Sequence, residues 1–345
     1  MKVCINGFGR IGRSVLRSFL DADAGYREYF DIVRINGRTL SAKDAAYALK
    51  YDSTHGVLNI PVQCIDDGLF FPTINKRIEV TAYENVEILS DTLNGDIELV
   101  LECSGAFNKK SLLQPYFLKG GVTNVIVSAP CEKAEHAIIL GVNNDRIEEV
   151  KKGHIVTLGS CTTNCILPAI KAINDKFEIT AGFVTTVHAY TNDQALLDKS
   201  HKDKRRGRAA NLSIIPSKTG FTGMISELFP KLGDKIGGAS LRVPVANVST
   251  VDFRFSANCK LSVELLLDCI TDYANTYADI MALNSEELVS CDFNGCKHSC
   301  IFDATQSFVN DNNARIVCWY DNEIGFSNRM LDLCKMLTVH YKTIA

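Results

Sequence analysis

The sequence predicts an α/β protein of two domains: a parallel sheet flanked by helices, then a mixed or antiparallel sheet with helices on one side. Three observations predict it. Short apolar runs alternate with helical patterns over residues 1–158, the order of a doubly wound parallel sheet. A G-x-G-x-x-G hexad, Gly7 to Gly12, stands between the first strand pattern and the first helical pattern. From Phe177 onward, long strand patterns replace the alternation. At 345 residues the chain can supply two full cores, taking roughly 100–200 residues per domain.

In order, Val3 to Asn6 reads as a strand and Arg10 to Leu20 as the helix that follows it. The glycines between them permit a tight turn, approach of backbone to a pyrophosphate and close packing of helix on strand. Gly7, Gly9, Arg10, Ile11 and Gly12 are therefore candidate contacts in a dinucleotide-binding Rossmann domain. A plain glycine-containing turn is the alternative. A second strand, Ile32 to Asn36, ends where an acid is expected to hold the adenosine ribose hydroxyls, but the chain reads Asn36-Gly37-Arg38. Without that carboxylate a 2′-phosphate is not repelled, and the Arg38 guanidinium can pair with it. NADP is therefore predicted to be accepted alongside or ahead of NAD. The competing reading leaves Arg38 in solvent and NAD bound through its other contacts.

Ser41, with Asp44 three residues on, reads as a cap for a helix through Leu49. Ile97 to Cys103 and Val125 to Ser128 read as buried strands on either side of a helix at Lys109 to Leu118. In the second half, strands at Phe177 to Ala189, Leu241 to Ser256 and Ala314 to Tyr320 accompany a helix at Leu261 to Tyr277, and Gly325 to Tyr341 forms the final helix. The domains are expected to divide at Gly159, giving 1–159 and 160–321.

That junction carries the chemistry. Gly159-Ser160-Cys161-Thr162-Thr163-Asn164-Cys165 follows the run His154 to Leu158 and precedes Ile166, Ala169, Ile170 and Ile173, a spacing of one helical face. If the helix begins at Cys161, unpaired N–H groups and the positive end of its dipole favour thiolate over thiol there. Pro168 would cost about 3 kcal/mol inside a helix, so a helix starting at Pro168, with Cys161 in a loop, is also open. Cys161 is accordingly either a nucleophile or an inert small hydrophobe.

Composition excludes several classes. The 46% hydrophobic and 22% charged residues fit an ordinary globular protein, and a net charge of −3 gives no reason to expect general affinity for nucleic acid or anionic membrane. The basic run Lys202 to Arg208 lacks interleaved aromatics and reads as a solvated or subunit-contacting loop. No stretch approaches about 18 apolar residues, and the N-terminus has no apolar leader. Thirteen cysteines, an odd number, point to a reducing compartment, the cytoplasm. The run Cys291, Cys296, His298, Cys300 has no usual zinc spacing, and no metal is expected.

Six strings together carry a resemblance: NGFGRIGR at Asn6 to Arg13, KYDSTHG at Lys50 to Gly56, SCTTNC, TTVHAYT at Thr185 to Thr191, RVPVANVS at Arg242 to Ser249, and WYDNEIGFSNR at Trp319 to Arg329. In kind, order and spread the chain resembles the phosphorylating glyceraldehyde-3-phosphate dehydrogenases. The resemblance implies that Cys161 is the nucleophile and His188 its partner. It implies that Thr191 and Arg242 take the substrate phosphate, while Ser160, Thr162, Thr219 and Gly220 take inorganic phosphate. Asn322 would hold the nicotinamide carboxamide, with Ser104 and Ser128 flanking ring and ribose, and the last helix, 322–345, would complete the first domain.

Two departures from the family bear on the cofactor. Gly37 replaces the usual aspartate, and Lys199-Ser200 replaces a usual Leu-Pro, so Ser200 is a candidate contact to the 2′-phosphate of a cofactor on a neighbouring subunit. The usual Arg-Asp-Pro near the adenine appears as Glu84-Asn85-Val86, which puts adenine-side contacts in question. The implied reaction converts glyceraldehyde 3-phosphate and inorganic phosphate to 1,3-bisphosphoglycerate with NAD or NADP, in a homotetramer. Erythrose-4-phosphate dehydrogenase is the alternative within the chemistry, and a redox-sensing or RNA-binding protein on the same fold the alternative outside it. Without the resemblance His188 reads equally as a core histidine, Arg242 as an ion-pair anchor and Cys165 as packed helix face.

Overall fold

In the computed structural model, which describes residues 1–21, 23 and 25–344, the chain forms two compact units. The first comprises 1–138, 144–159 and 327–345, and the second 139–143 and 160–326.

The first unit contains β1 (Lys2–Asn6), α1 (Arg10–Leu20), β2 (Asp31–Asn36), α2 (Ala42–Lys50), a hairpin of β3 (Tyr51–Asp52) and β4 (Gly56–Val57), β5 (Gln63–Ile65), β6 (Gly68–Phe71) and β7 (Lys76–Thr81). It continues with α3 (Val86–Asp91), β8 (Leu99–Glu102), α4 (Lys110–Leu118), β9 (Asn124–Val127), β10 (His136–Ala137) and β11 (Ile155–Thr157). Among the described residues its sheet has nine strands in the order β10-β11-β9-β8-β1-β2-β7-β6-β5. All pairings from β10 to β7 are parallel, and β6 and β5 close the edge antiparallel. Order reverses at β1, whose C-terminal end meets α1. A crevice at such a reversal is where doubly wound sheets bind ligands.

Local chemistry accounts for the boundaries. Ser41 Oγ accepts from the Asp44 N–H at 3.1 Å and starts α2. Val3, Cys4 and Ile5 are fully buried, as a strand covered on both faces requires. The final helix, α8 (Ile324–Ile344), joins this unit from Ser327 onward. Tyr26 donates to Asp332 Oδ1 at 2.8 Å, and Tyr341 donates to Asn124 Oδ1 at 2.8 Å.

The second unit contains α5 (Cys161–Phe177), β12 (Ile179–Ala189), β13 (Ile215–Ser217), α6 (Phe221–Leu228), β14 (Ile236–Val243), β15 (Ser249–Ala257), α7 (Val263–Thr276), β16 (Met281–Asn284), β17 (Cys300–Asp303), β18 (Phe308–Asn310) and β19 (Asn313–Tyr320). Its sheet is mixed, in the order β13-β14-β12-β15-β19-β17-β16, with β18 on β19. Pairs β12–β14 and β16–β17 are parallel, and the others antiparallel.

Of the two starts open to the junction helix, the structure has the first: it begins at Cys161, and Pro168 lies buried within it, while two strand expectations are corrected. Burial of Cys165, Ile166, Ala169, Ile170 and Ile173 offsets the hydrogen bond that proline removes. Phe177 ends that helix, Glu178 turns at φ 53°, and only then does β12 start. The strand pattern Leu241 to Ser256 is two strands, parted after Val243 because Pro244 cannot donate to a ladder.

Candidate active site

Ser160 caps α5 with a reciprocal box: its Oγ accepts from the Thr163 N–H at 3.2 Å, and Thr163 Oγ1 accepts from the Ser160 N–H at 3.3 Å. The cap fixes Cys161 at the first helical position. In the sheet beneath, the parallel register of β12 on β14 sets His188 beside Arg242. These placements bring three side chains together. Cys161 Sγ lies 3.4 Å from His188 Nε2, and Arg242 Nη1 lies 2.7 Å from His188 Nδ1. The Ala189 carbonyl accepts at 2.6 Å from Nδ1 and at 3.0 Å from Arg242 Nη1.

The two contacts at Nδ1 belong to opposite tautomers. With Nδ1–H donating to Ala189, Nε2 is an acceptor for the Cys161 S–H. With Arg242 donating to Nδ1, Nε2–H is a donor to thiolate. Each protonation state of Cys161 therefore has a satisfied network. Tyr320, fully buried, stands edge-on to the imidazole with centroids 6.0 Å apart, and its hydroxyl lies 2.9 Å from Thr162 Oγ1.

Electrostatics here differ from the sequence expectation. Burial pushes the Cys161 thiol above its ordinary value, outweighing the Arg242 charge and hydrogen bonds from Thr162 N–H and hydroxyl. Burial, then the Arg242 charge, push His188 down to about 3. The N–H groups at the helix start do lower the thiol, as expected, but burial outweighs them. The imidazole is a neutral base, and the charge that opposes burial of the thiolate is the guanidinium.

The remaining phosphate candidates are more dispersed. Thr191 lies two residues past β12, its N–H donating to Gln194 Oε1 at 3.3 Å. Thr219 and the exposed Gly220 stand at the start of α6. Thr162 is only 5% exposed, so its hydroxyl faces Tyr320 and the sulfur rather than open solvent. Arg242 Nε is buried with no partner, a donor that an anion would satisfy. Arg206, from the basic run, adds cationic charge at both His188 and Arg242; its Nε donates to Ser217 Oγ at 2.9 Å, and it pairs with Asp193. Sequence reasoning missed it as a site residue, and its only signal was a basic loop without aromatics.

Asn322 is buried, and its Oδ1 accepts from Ser249 Oγ at 3.1 Å; Ser249 Oγ in turn accepts from the Ala189 N–H at 3.0 Å. This chain orients the Asn322 amide so that Nδ2 is the end left to donate. Cys165 lies in the core with Cys300 and Cys318, its thiol pushed well up by burial. Among the described residues no group of three or more His, Cys, Asp or Glu side chains is placed to hold a metal ion.

The first unit holds a second site. A cleft of about 410 Å³ is lined by Gly7, Gly9, Gly37, Arg38, Tyr83 and Ser104, among others. Its shape depends on missing side chains. Gly7 has φ 96°, and a Cβ there would meet Ser104 Cα at 2.4 Å; a Cβ on Gly12 would meet the Gly7 oxygen at 2.1 Å. At Gly9 a Cβ would meet nothing within 4 Å, so that backbone faces open space. A dinucleotide pyrophosphate fits such a cradle at the N-terminus of α1. Ile11, in the first turn of α1, is half-buried.

Arg10 pairs with Asp52 through both Nη atoms. Burial would raise the Asp52 carboxyl, but hydrogen bonds from Arg10 and the His55 and Thr54 amides hold it well below the carboxylate range. Glu102 is a further residue the sequence did not flag: buried, raised by burial, it accepts from Asn6 Nδ2 at 2.7 Å, the Ser104 N–H at 2.9 Å and Tyr116 at 3.1 Å. Ser128, half-buried after β9, donates its N–H to the Glu102 carbonyl at 3.0 Å.

Comparison with known proteins agrees over both units. Residues 1–110 match the glyceraldehyde 3-phosphate dehydrogenase NAD binding domain, and residues 160–322 match the C-terminal domain of the same family. The chain belongs to the glyceraldehyde-3-phosphate dehydrogenase family. Relatives include glyceraldehyde-3-phosphate dehydrogenase 1 of Bacillus cereus, 39% identical over 98% of both chains. The glyceraldehyde-3-phosphate dehydrogenase 1 of Bacillus subtilis is 40% identical over 96% of this chain and 97% of its own. That of Geobacillus stearothermophilus is 39% identical over the same shares. As a family member the chain is an NAD(P)-dependent dehydrogenase with a Rossmann domain and an α+β catalytic domain. No helix among the described residues is long and apolar enough to cross a membrane.

Proposed function

We propose that the protein oxidises and phosphorylates glyceraldehyde 3-phosphate to 1,3-bisphosphoglycerate, with Cys161 as nucleophile and His188 as base. The observation that carries this reading is the 3.4 Å approach of Cys161 Sγ to the neutral His188, with Arg242 behind the imidazole. As sulfur adds to the aldehyde carbon, His188 Nε2 takes the thiol proton, and Nδ1–H to Ala189 holds the tautomer that permits it. The oxyanion of the adduct is stabilised by the N–H groups at the start of α5. The bound nicotinamide supplies the hydride acceptor. The resulting thioester on Cys161 is then attacked by inorganic phosphate.

Arg242 and Thr191 hold the phosphate of the aldehyde. Ser160, Thr162, Thr219 and Gly220 surround the incoming phosphate, with Thr162 contributing its N–H. Arg206 adds the charge that two phosphates require. Gly7, Gly9, Arg10, Ile11 and Gly12 hold the pyrophosphate, Ser104 and Ser128 flank the ribose, and Asn322 Nδ2 donates to the carboxamide.

Both cofactors are used, NADP included. No carboxylate stands at Gly37, and a Cβ there would meet Leu40 Cβ at 2.9 Å, so Leu40 fills the place of an acid. Arg38 is exposed on the cleft, with no ion pair among the described residues; Glu84 lines the same cleft and opposes a second phosphate. Exposed Leu196, Leu197, Leu212 and Ile214 around the basic run support burial in a homotetramer, where Ser200 reaches a neighbour's cofactor. The cytoplasm is the place of action.

The test is aldehyde-dependent reduction of each cofactor with and without phosphate, repeated on Cys161→Ser. The reading expects turnover with both cofactors and phosphate, and loss of at least about 10⁴-fold in the variant. NAD efficiency more than about a hundredfold above NADP would refute dual use. Faster turnover with erythrose 4-phosphate would move the assignment to that substrate.

A further inference from the structure

The segment that joins the helical turn Ser290–Phe293 to β17 takes no part in the chemistry above, yet it carries Cys296 and His298, with Cys291 in the turn before it and Cys300 at the start of the strand after it. Its path is fixed. Gly295 turns at φ 84°, its N–H donates to Asp321 Oδ2 at 2.8 Å, and Asn247 Nδ2 donates to Asn294 Oδ1 at 2.7 Å. The segment also lies against the start of α8, where a Cβ on Gly325 would meet the His298 oxygen at 2.7 Å. On this fixed backbone Cys296 Sγ stands 3.3 Å from His298 Nδ1, as close as the catalytic pair. Both residues are half-buried, with Cys296 backed by Val248, Phe293, Ile301 and Trp319.

The other accessible thiols lack this arrangement. Cys291 is exposed, its thiol donating to Asp292 Oδ1 at 4.0 Å. Cys64 is exposed beside the Asp66 carbonyl and Cys259 is exposed, while Cys131, half-buried like Cys296, points at the Glu132 carbonyl and is pushed up to about 11 by burial. A half-buried thiol within reach of an imidazole is a candidate nucleophile by general chemistry, whatever else the protein does.

We propose that Cys296 and His298 form a second reactive thiol site, which takes up small-molecule disulfides of the glutathione type. His298 Nδ1 accepts the S–H proton as the Cys296 sulfur attacks one sulfur of the disulfide. A new S–S bond forms to Cys296 and the old S–S bond breaks. The departing thiolate takes the proton back and leaves as a thiol, so Cys296 is oxidised and the leaving sulfur reduced, with nothing else consumed.

The test uses the full chain carrying Cys161→Ser, so that the catalytic thiol is silent, incubated with oxidised glutathione near neutral pH. Peptide mass spectrometry follows mixed-disulfide formation at Cys296, Cys64, Cys259 and Cys291 in one sample. Cys296 is expected to react about tenfold or more faster than each of the other three, and His298→Asn to bring it down to their rate. A Cys296 rate no higher than that of Cys259, or one unmoved by His298→Asn, overturns the proposal. Should His298→Asn not fold, the pH dependence in the His298-containing chain decides: a Cys296 rate that levels off below the pH at which Cys259 does supports the site, and coincident profiles overturn it.

Discussion

Two cysteines in this chain sit beside histidines at nearly the same distance, 3.4 Å for Cys161 and His188 and 3.3 Å for Cys296 and His298. What surrounds them differs. His188 is 3% exposed and faces a guanidinium, which with burial holds it neutral far below its usual range. Cys161 occupies the first position of a capped helix, where N–H groups and Arg242 await negative charge. Cys296 lies on the irregular connection into β17, packed against Phe293 and Trp319. Proximity to an imidazole makes a thiol reactive. Preorganised donors and a nearby cation are what turn reactivity into turnover.

The comparison is most sharply broken at His188. His188→Asn is expected to lower kcat by about 10²–10⁴ while leaving Cys296 labelling unchanged, because the proposed chemistry uses only the first pair. Steady-state kinetics beside peptide labelling checks both halves. Next comes Arg242→Leu, which removes the charge opposing burial of the thiolate. Alkylation of Cys161 near pH 7 should slow by about tenfold and its inflection move to higher pH, with Cys296 unaffected.

A third effect lies in stability. His188 has a folded pKa of about 3 against 6.5 for the free side chain, so the unfolded chain binds the extra proton between those values. Its contribution is present above about pH 6.5 and is lost as pH falls toward 3, on the order of a few kcal/mol. Denaturation midpoints across that window should fall less steeply for His188→Asn than for the unsubstituted chain. The smallest effect is Cys296→Ser, which should leave kcat within about twofold, since that sulfur touches neither Cys161 nor Arg242.

Sequence and structure agree where local chemistry decides. The glycine hexad specifies α1 from Arg10 to Leu20, and the apolar runs locate β1, β2, β8 and β9 to within a few residues. Cys161 and His188 stood out because their strings resemble a family, not because any spacing joins residues 27 apart. What was hidden needs the third dimension. Arg206 reaches the site through a loop whose bland composition suggested solvent, and Glu102 looked like any strand residue until Asn6, Ser104 and Tyr116 closed around it. The direction of the Cys161 shift was also illegible. A helix N-terminus is visible in a sequence, whereas the burial that outweighs it comes with neighbours that are distant in the chain, His188, Arg242 and Tyr320.

Covalent catalysis at Cys161 is tested by acid-quenching the enzyme after one turnover with glyceraldehyde 3-phosphate and cofactor, phosphate omitted, and mapping the acyl group by mass spectrometry. One acyl thioester is expected on Cys161, equal in amount to the reduced cofactor formed, and it should disappear when phosphate is added. Cofactor reduction without an acyl group on Cys161, or with the acyl group on another cysteine, would contradict it.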